Sequence, residues 1–90
     1  MKSIALKIIN KHGLHARPAV KFVQIASRFI SSITICKNDK CVDAKNILKV
    51  LSLGIDYVDT IILRIDGDDE DKALNQLVHL LQVVLPDEDK

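Results

Sequence analysis

Aromatic side chains are scarce in this chain of 90 residues, which has no Trp, two Phe and one Tyr. RNA-binding modules recognise single-stranded bases largely by stacking them on exposed aromatic rings, and Phe22, Phe29 and Tyr57 offer little for that purpose. The formal net charge of +1 also lacks the basic excess on which general nucleic-acid binding depends. We therefore predict that the protein has no nucleic-acid partner.

Long hydrophobic runs are absent as well. Apolar stretches such as residues 83–85 are far too short to span a bilayer, and no apolar segment typical of a signal peptide follows Met1. These absences predict a cytoplasmic protein with no direct membrane insertion. Apolar residues make up 48% of the sequence, which is enough for the core of one small domain over residues 1–90.

The charges are unevenly distributed along the chain. Residues 1–65 hold eleven basic and four acidic side chains, whereas residues 66–90 hold two basic and eight acidic ones. We interpret this division as a basic working face and an acidic remainder.

Hydrophobic periodicity predicts the element order β-α-β-β-α-β-α. Alternation predicts strands over residues 3–9 and 33–36, the turn after them predicts an antiparallel return over 41–43, and a strongly apolar run predicts a central strand over 59–65. Helical spacing predicts helices over residues 15–30, 47–53 and 70–85. This order is typical of an α+β fold in which three helices cover one face of a four-stranded antiparallel sheet. Pro86 is expected to end the last helix and to leave residues 85–90 as a frayed acidic tail.

The segment Gly-Leu-His-Ala-Arg-Pro-Ala at 13–19 places His15 at the N-cap of the first helix. The amides of Ala16 and Arg17 have no acceptor within that helix, and the helix dipole favours an anion beside them. Arg17 adds a guanidinium that pairs with phosphate oxygens. This combination suits a histidine that holds a phosphoryl group transiently, although an isolated His-x-Arg at a helix start is more often a simple surface cap.

The segment 13–19 resembles the active-site signature of the HPr family, the histidine-containing phosphocarriers of the bacterial sugar phosphotransferase system. The resemblance extends over roughly residues 2–85 and includes the segments 33–35, 43–45, 51–54 and 66–70. It implies an HPr-like open-faced β-sandwich.

The resemblance implies a role for each residue of the motif. His15 would accept, on Nδ1, a phosphoryl group that enzyme I takes from phosphoenolpyruvate, and would pass it to sugar-specific enzyme IIA domains. Arg17 would steady the phosphate, the amides of Ala16 and Arg17 would bind its oxygens, and Pro18 would keep the first turn from rearranging. Such a carrier is an intermediate in phosphotransfer and not an enzyme, and it needs no metal or cofactor of its own.

A partner-docking surface is also implied, with an apolar part on the second helix and a basic rim that would attract acidic partners. Its expected members are Ile47, Leu48 and Leu51 in the apolar part and Lys45, Lys49, Arg17, Lys21 and Lys11 in the basic rim. Helical spacing predicts that Ile47 and Leu48 are at least partly exposed and that Val50 and Leu53 are buried.

Two residues depart from the family pattern. Asn46 occupies an N-cap at which many Gram-positive members have a serine that a dedicated kinase phosphorylates, so we predict no regulatory phosphorylation there. His12 forms His-x-x-His with His15, a spacing that some metal sites use, but we interpret it as a loop residue. His79 lies beside the apolar face of the last helix, and we expect it to be structural.

Cys36 and Cys41 flank a four-residue turn and could face each other across a hairpin. Alternation turns Ile33 and Ile35 inward, which points Cys36 outward. In a reducing cytosol, two free surface thiols are expected, with a cross-strand disulfide or a soft-metal site as the alternatives.

Other functions stay open at this point. The chain could be a regulatory, nitrogen-type HPr paralogue that is phosphorylated at His15 without a direct role in sugar uptake. A more remote alternative is a small metal-binding carrier that uses Cys36 and Cys41. For the phosphocarrier we expect a monomer.

Overall fold

A four-stranded antiparallel sheet with helices on one face forms the fold, which a computed structural model describes over residues 1–89. In chain order the elements are β1 Lys2–Lys7, α1 Ala16–Ala26, β2 Ser32–Lys37, β3 Lys40–Asp43, α2 Ile47–Ser52, β4 Thr60–Asp66 and α3 Glu70–His79, followed by a π-helical segment Leu80–Val84 and α4 Leu85–Glu88. The α+β open-faced sandwich predicted from the sequence is confirmed.

The strand order β1-β4-β2-β3 makes β4 a central strand. Leu63 pairs with Ile4 of β1 on one side and with Ile35 of β2 on the other. Alternation along β4 turns Ile61, Leu63 and Ile65 toward the helices, and all three are buried. The opposite face of the sheet carries no helix among residues 1–89.

The hydrophobic core lies between the sheet and the helices. Its largest fully buried side chains are Ile8, Leu14, Phe22, Ile33, Ile35, Ile55, Ile61, Leu63, Ile65, Leu77, Leu81 and Leu85. Leu14 and Ile55 belong to loops, so the core extends beneath the segments on either side of His15. The helices α1 and α3 also contact each other on the helix-covered face of the sheet.

The first helix is shorter than the periodicity predicts. It ends at Ala26, and the amide of its C-cap Ser27 still bonds to the Val23 carbonyl at 2.9 Å. Phe29 then turns into the core, but Ile30, which was expected on the same apolar face, is 77% exposed. That expectation was wrong because the chain has left the helical path by residue 27, so the helical spacing no longer applies.

Pro86 does not end the last helix, and residues 85–88 of the expected tail are helical. The chain widens into the π-helical segment, where the Leu85 amide bonds to the Leu80 carbonyl, and it continues as α4 through Glu88. Pro86 lies in the first turn of α4, where a missing N–H costs little. Lys90, part of the predicted tail, lies outside the described residues.

The two cysteines form a disulfide, so the expectation of free surface thiols was wrong. The disulfide leaves no thiol available for the metal-carrier alternative. The Lys37–Lys40 turn pairs Cys36 directly with Cys41, and their Cα atoms are 4.0 Å apart. Alternation placed Cys36 on the helix-free face as expected. There it lies between Cys41 and Ile62 in neighbouring strands and is only 2% exposed.

Within residues 1–89, no helix has the length and apolar character that crossing a membrane requires.

Candidate functional site

Two loops meet at one end of the sheet, and their contact builds the candidate site. The Leu14 amide donates a hydrogen bond of 2.9 Å to the Ile55 carbonyl. Gly13 has a φ of 56°, and a Cβ atom at this position would lie 2.3 Å from the same carbonyl oxygen. Glycine therefore permits both the left-handed turn and the close approach of the loops. The next residues along each loop, His15 and Asp56, face each other.

His15 contacts Asp56 directly. Its Nε2 atom lies 2.5 Å from Oδ1 of Asp56, and the histidine side chain remains 44% exposed. A carboxylate accepts hydrogen bonds, so in the neutral ring this partner assigns the proton to Nε2 and leaves Nδ1 with its lone pair. Sequence reasoning missed Asp56, because nothing in the pattern links residues that are 41 positions apart.

The start of α1 supplies the expected anion-binding groups. His15 is the N-cap, as predicted, although its side chain makes no capping hydrogen bond within residues 1–89. Ala16 has a φ of 49°, an unfavourable conformation for a residue with a side chain, and Ala16, Arg17 and Pro18 all line the same open pocket as His15. Because Pro18 has no N–H, the free amides of this turn include those of Ala16 and Arg17.

The pocket around His15 has a volume of about 760 Å³ and is lined by charges of both signs. Its lining residues are Lys11, His12, His15, Ala16, Arg17, Pro18, Lys21, Asp56, Glu88 and Asp89. The basic and acidic parts of the sequence are therefore not segregated in space, which corrects our interpretation of the charge pattern. The acidic end of the chain was expected to be a tail, but it folds back against the site.

Two carboxylates from the end of the chain bind basic groups in the pocket. Glu88 receives hydrogen bonds of 2.5 and 2.6 Å from the Lys21 ammonium group. Asp89 contacts the His12 ring at 3.2 Å and accepts a bond of 3.0 Å from the Asn10 side-chain amide. These contacts explain why the last residues follow the helix instead of fraying. The run of acidic residues at 87–89 was visible in the sequence, but the sequence did not indicate which basic groups these carboxylates would contact.

Hydrogen bonding lowers the pKa of two carboxyl groups near the site. The Asn10 amide, followed by the His12 side chain, stabilises the ionised form of Asp89 and lowers its pKa below the usual value. The Lys37 ammonium group, followed by the Asp56 amide, does the same for Asp59 and lowers its pKa. Both groups therefore remain anionic at neutral pH and hold the loops on which His12 and Asp56 lie.

The expected docking helix, α2, packs against α1 and presents apolar side chains to solvent. Leu48 is 74% exposed and Leu51 is 37% exposed, whereas Ile47 is only partly buried. Val50 and Leu53 are buried, so the predicted orientation of the helix is confirmed. Asn46 caps the helix by accepting a bond of 3.2 Å from the Lys49 amide.

The expected basic rim is only partly assembled. Arg17, Lys11 and Lys21 line the pocket, but Lys45 donates a bond of 2.7 Å to the carbonyl of Phe29, beyond the far end of α1 from His15. Lys49 is exposed on α2 and does not line the pocket. His79 is exposed on α3 and also lies outside the pocket.

Comparison with known proteins agrees with this geometry. Residues 2–82 match the family model described as "PTS HPr component phosphorylation site". The chain is 42% identical to the phosphocarrier protein HPr of Pseudomonas aeruginosa over 82 residues, which are 90% of this chain and 91% of that protein. The chain belongs to the HPr family of phosphocarrier proteins.

Two further relatives are similar to this chain over most of its length. A crystal structure of HPr from Thermoanaerobacter tengcongensis superimposes with a TM-score of 0.89 at 46% identity and covers 91% of this chain and 92% of that one. The HPr-like protein Crh of Halalkalibacterium halodurans is 43% identical over 81 residues, which are 90% of this chain and 94% of that protein. This chain is thus similar to relatives that carry two different names.

Proposed function

We propose that this HPr-family protein carries a phosphoryl group on Nδ1 of His15, accepts it from phosphorylated enzyme I and passes it to enzyme IIA domains of the sugar phosphotransferase system. The observation that carries the proposal is the position of His15 at the N-terminus of α1, with Nε2 bonded to Asp56 and Arg17 in the same pocket. The family membership supports the general phosphocarrier role.

The transfer step is a displacement at phosphorus. The Nδ1 lone pair of His15 attacks the phosphorus atom of the donor's phosphohistidine, the donor's P–N bond breaks, and the donor imidazole leaves. The free amides of Ala16 and Arg17 and the Arg17 guanidinium group would bind the phosphate oxygens, which carry the charge in the transition state. In the donation to enzyme IIA, a nucleophile of that domain attacks the phosphorus atom, the N–P bond to His15 breaks, and the His15 imidazole leaves. His15 is thereby regenerated, so the protein acts as a stoichiometric carrier.

The incoming phosphate would compete with carboxylates that already occupy the pocket. Glu88 binds Lys21, and Asp89 binds His12. A phosphate on His15 would carry about two negative charges and would repel both carboxylates, while Lys21 could turn from Glu88 to the phosphate. We therefore expect the end of the last helix to shift when His15 is phosphorylated.

The partner-docking surface in this proposal is the exposed part of α2. Leu48 and Leu51 supply apolar contact area, and Lys49 and Arg17 attract acidic partners, so transfer should slow as the salt concentration rises.

The rest of the proposal places the carrier in the cytoplasm as a monomer, without a cofactor.

The proposal is tested with purified enzyme I, phosphoenolpyruvate and an enzyme IIA domain. The wild type should acquire one phosphate and pass it on, and Leu48→Asp should slow both transfers because it places a charge on the apolar surface. Potassium phosphoramidate phosphorylates histidine without a protein partner, and it should label Leu48→Asp and the wild type equally. If Leu48→Asp is slowed equally with phosphoramidate, the docking role is wrong.

The choice of enzyme I decides between the transport role and a nitrogen-type regulatory role. Label from the sugar-type enzyme I, followed by transfer to a sugar-specific enzyme IIA, supports the transport role. Label from the nitrogen-type enzyme I alone would replace it with the regulatory alternative.

A further inference from the structure

The loop that carries Asp56 is fixed on both sides of that residue. The Asp56 amide donates a bond of 2.7 Å to the Asp59 side chain, and the Asp59 amide returns one of 3.1 Å to the Asp56 carbonyl. Lys37 binds both the Asp59 carboxylate at 2.9 Å and the Gly54 carbonyl at 2.6 Å. The main chain at Asp56 is therefore held independently of its own side chain.

The same loop is also fixed to the segment that leads to His15. The Val58 amide donates to the Ile8 carbonyl, and the Ile8 amide donates to the Asp59 carbonyl, each at 2.8 Å. Together with the Leu14–Ile55 bond, these contacts fix the Asp56 carboxylate relative to the His15 ring.

Other charged groups near His15 have their hydrogen bonds and ion pairs with different partners. Glu88 is bound by Lys21, Asp89 by His12 and Asn10, and Asp59 by Lys37. Lys11 and Arg17 line the pocket as cations. Within residues 1–89, the Asp56 carboxylate is the group that contacts the His15 ring, and the Asp56 side chain has no other hydrogen bond.

We propose that Asp56 is a positioning residue that holds the proton of His15 on Nε2 and directs phosphorylation to Nδ1. This inference rests on the phosphocarrier function proposed above and adds a residue to it. The Nε2–H bond to the carboxylate fixes the ring orientation and the tautomer, so that the nucleophilic lone pair is on Nδ1.

The role of Asp56 extends to the phosphorylated state. When Nδ1 attacks phosphorus, the N–P bond forms, Nε2 keeps its proton, and the ring acquires a positive charge. The Asp56 carboxylate stabilises that charge by a charge-assisted hydrogen bond. In the onward transfer the N–P bond breaks and the ring leaves as neutral imidazole, which is a far better leaving group than the imidazolate that a ring without the Nε2 proton would form.

The position of the phosphate on the ring tests this proposal without any protein partner. Phosphoramidate transfers its phosphoryl group to an imidazole nitrogen and releases ammonia, and NMR distinguishes Nδ1-phosphohistidine from Nε2-phosphohistidine. The wild type should be phosphorylated at His15 on Nδ1, whereas Asp56→Ala should give a mixture because its Nε2 atom is no longer blocked. An identical product distribution in the two proteins would overturn the proposal.

The tautomer of unphosphorylated His15 gives a second readout that does not depend on phosphotransfer. Long-range proton–nitrogen NMR spectra should show neutral His15 with the proton on Nε2 in the wild type and a mixture of tautomers in Asp56→Ala. His79, whose exposed side chain has no hydrogen-bond partner within residues 1–89, is an internal reference in the same spectrum. If His15 of the wild type matches His79, Asp56 does not position the ring.

The effect on transfer is measured with a matched pair of variants. Asp56→Asn keeps the shape of the side chain and removes its charge, and Asp68→Asn removes one charge from the exposed turn at the opposite end of β4. We expect Asp56→Asn to slow transfer from enzyme I about 10- to 100-fold, the usual effect of removing an orienting partner, and Asp68→Asn to leave it unchanged. Equal rates for both variants would contradict the proposal.

The design separates failure of this inference from failure of the proposed function. If enzyme I labels neither the wild type nor any variant, the carrier function is wrong. The phosphoramidate products and the tautomer of His15 still decide the role of Asp56 in that case. Because the Asp56 side chain bonds only to His15 within the described residues, both of its variants should unfold at the wild-type temperature.

Discussion

The main-chain bond of 2.9 Å from Leu14 to Ile55 joins two loops that are about 40 positions apart in the sequence, and it brings His15 and Asp56 into contact one residue further along. Both residues of this bond are fully buried, so the position of the site is coupled to the packing of the core. A histidine that must meet several partners in the same orientation benefits from such a rigid support.

Replacing Gly13 by alanine tests the contact between the loops. A Cβ at residue 13 would lie 2.3 Å from the Ile55 carbonyl oxygen, whereas at Gly54, with a nearly equal φ of 60°, it would meet nothing within 4 Å. Gly54→Ala should cost about 1–2 kcal/mol of unfolding free energy from backbone strain alone. Gly13→Ala should lower the unfolding free energy by more than Gly54→Ala does, because the two loops must also move apart. Urea unfolding measures the loss in each variant. Equal losses would show that the close approach does not matter.

Acid should destabilise the protein through Asp69, which accepts bonds from the amides of Ile30 and Ser31 and from the Ser31 hydroxyl. The Ser31 hydroxyl, followed by the amides, lowers the pKa of Asp69 below its ordinary value of 3.8. Ionised Asp69 therefore stabilises the fold above that pH, and this contribution is lost as the pH falls through the lowered pKa. Unfolding in urea at a series of pH values should show a weaker acid dependence for Asp69→Asn than for the control Asp68→Asn. Parallel curves would refute the assignment.

Asn46 should act as a helix cap without being a regulatory site. Asn46→Ala should lose about 1 kcal/mol of unfolding free energy, because the bond to the Lys49 amide disappears, and Asn46→Ser should lose little. Because many Gram-positive HPr proteins resemble this chain but have a phosphorylated serine at this N-cap, phosphorylation of residue 46 is measured as well. With ATP and the serine kinase of that family, Asn46→Ser should take up label and the wild type should not. Label at residue 46 of the wild type would contradict this prediction.

The Cys36–Cys41 disulfide should stabilise the hairpin modestly. It closes a loop of only six residues, for which loop entropy gives about 2 kcal/mol or less. Reduction, or replacement of both cysteines by serine, should lower the unfolding free energy by that amount and leave phosphorylation of His15 unchanged. Thiol titration of protein isolated under alkylating conditions should find no free thiol, and two reactive thiols would show that the bond is absent where the protein is made.

Local rules predicted most of the fold. The apolar run at 59–65 and the helical spacing in α1 and α3 depend on side chains that are close in the sequence, and so do the Asn46 cap and the turn between Cys36 and Cys41. His15, Ala16 and Arg17 were found because they are consecutive and belong to a recognisable motif. The exposure of Leu48 and the burial of Val50 followed from the same spacing.

Contacts between distant segments were not predictable in this way. Asp56 meets His15 only because Gly13 allows two loops to approach, and Asp89 meets His12 only because the helix continues through Pro86. The widening of the last helix at 80–84 has no local signal that alternation or spacing would reveal. The expected reducing compartment predicted free thiols, whereas the hairpin register places the two cysteines directly opposite each other.

The phosphorylation of His15 by enzyme I and phosphoenolpyruvate is the most direct test of the central claim. The wild type should acquire a single phosphate that is labile in acid and stable in base, and it should lose that phosphate to an enzyme IIA domain, while folded His15→Ala should acquire none. Label that persists in His15→Ala, or a folded wild type that neither the sugar-type nor the nitrogen-type enzyme I can phosphorylate, would contradict the account.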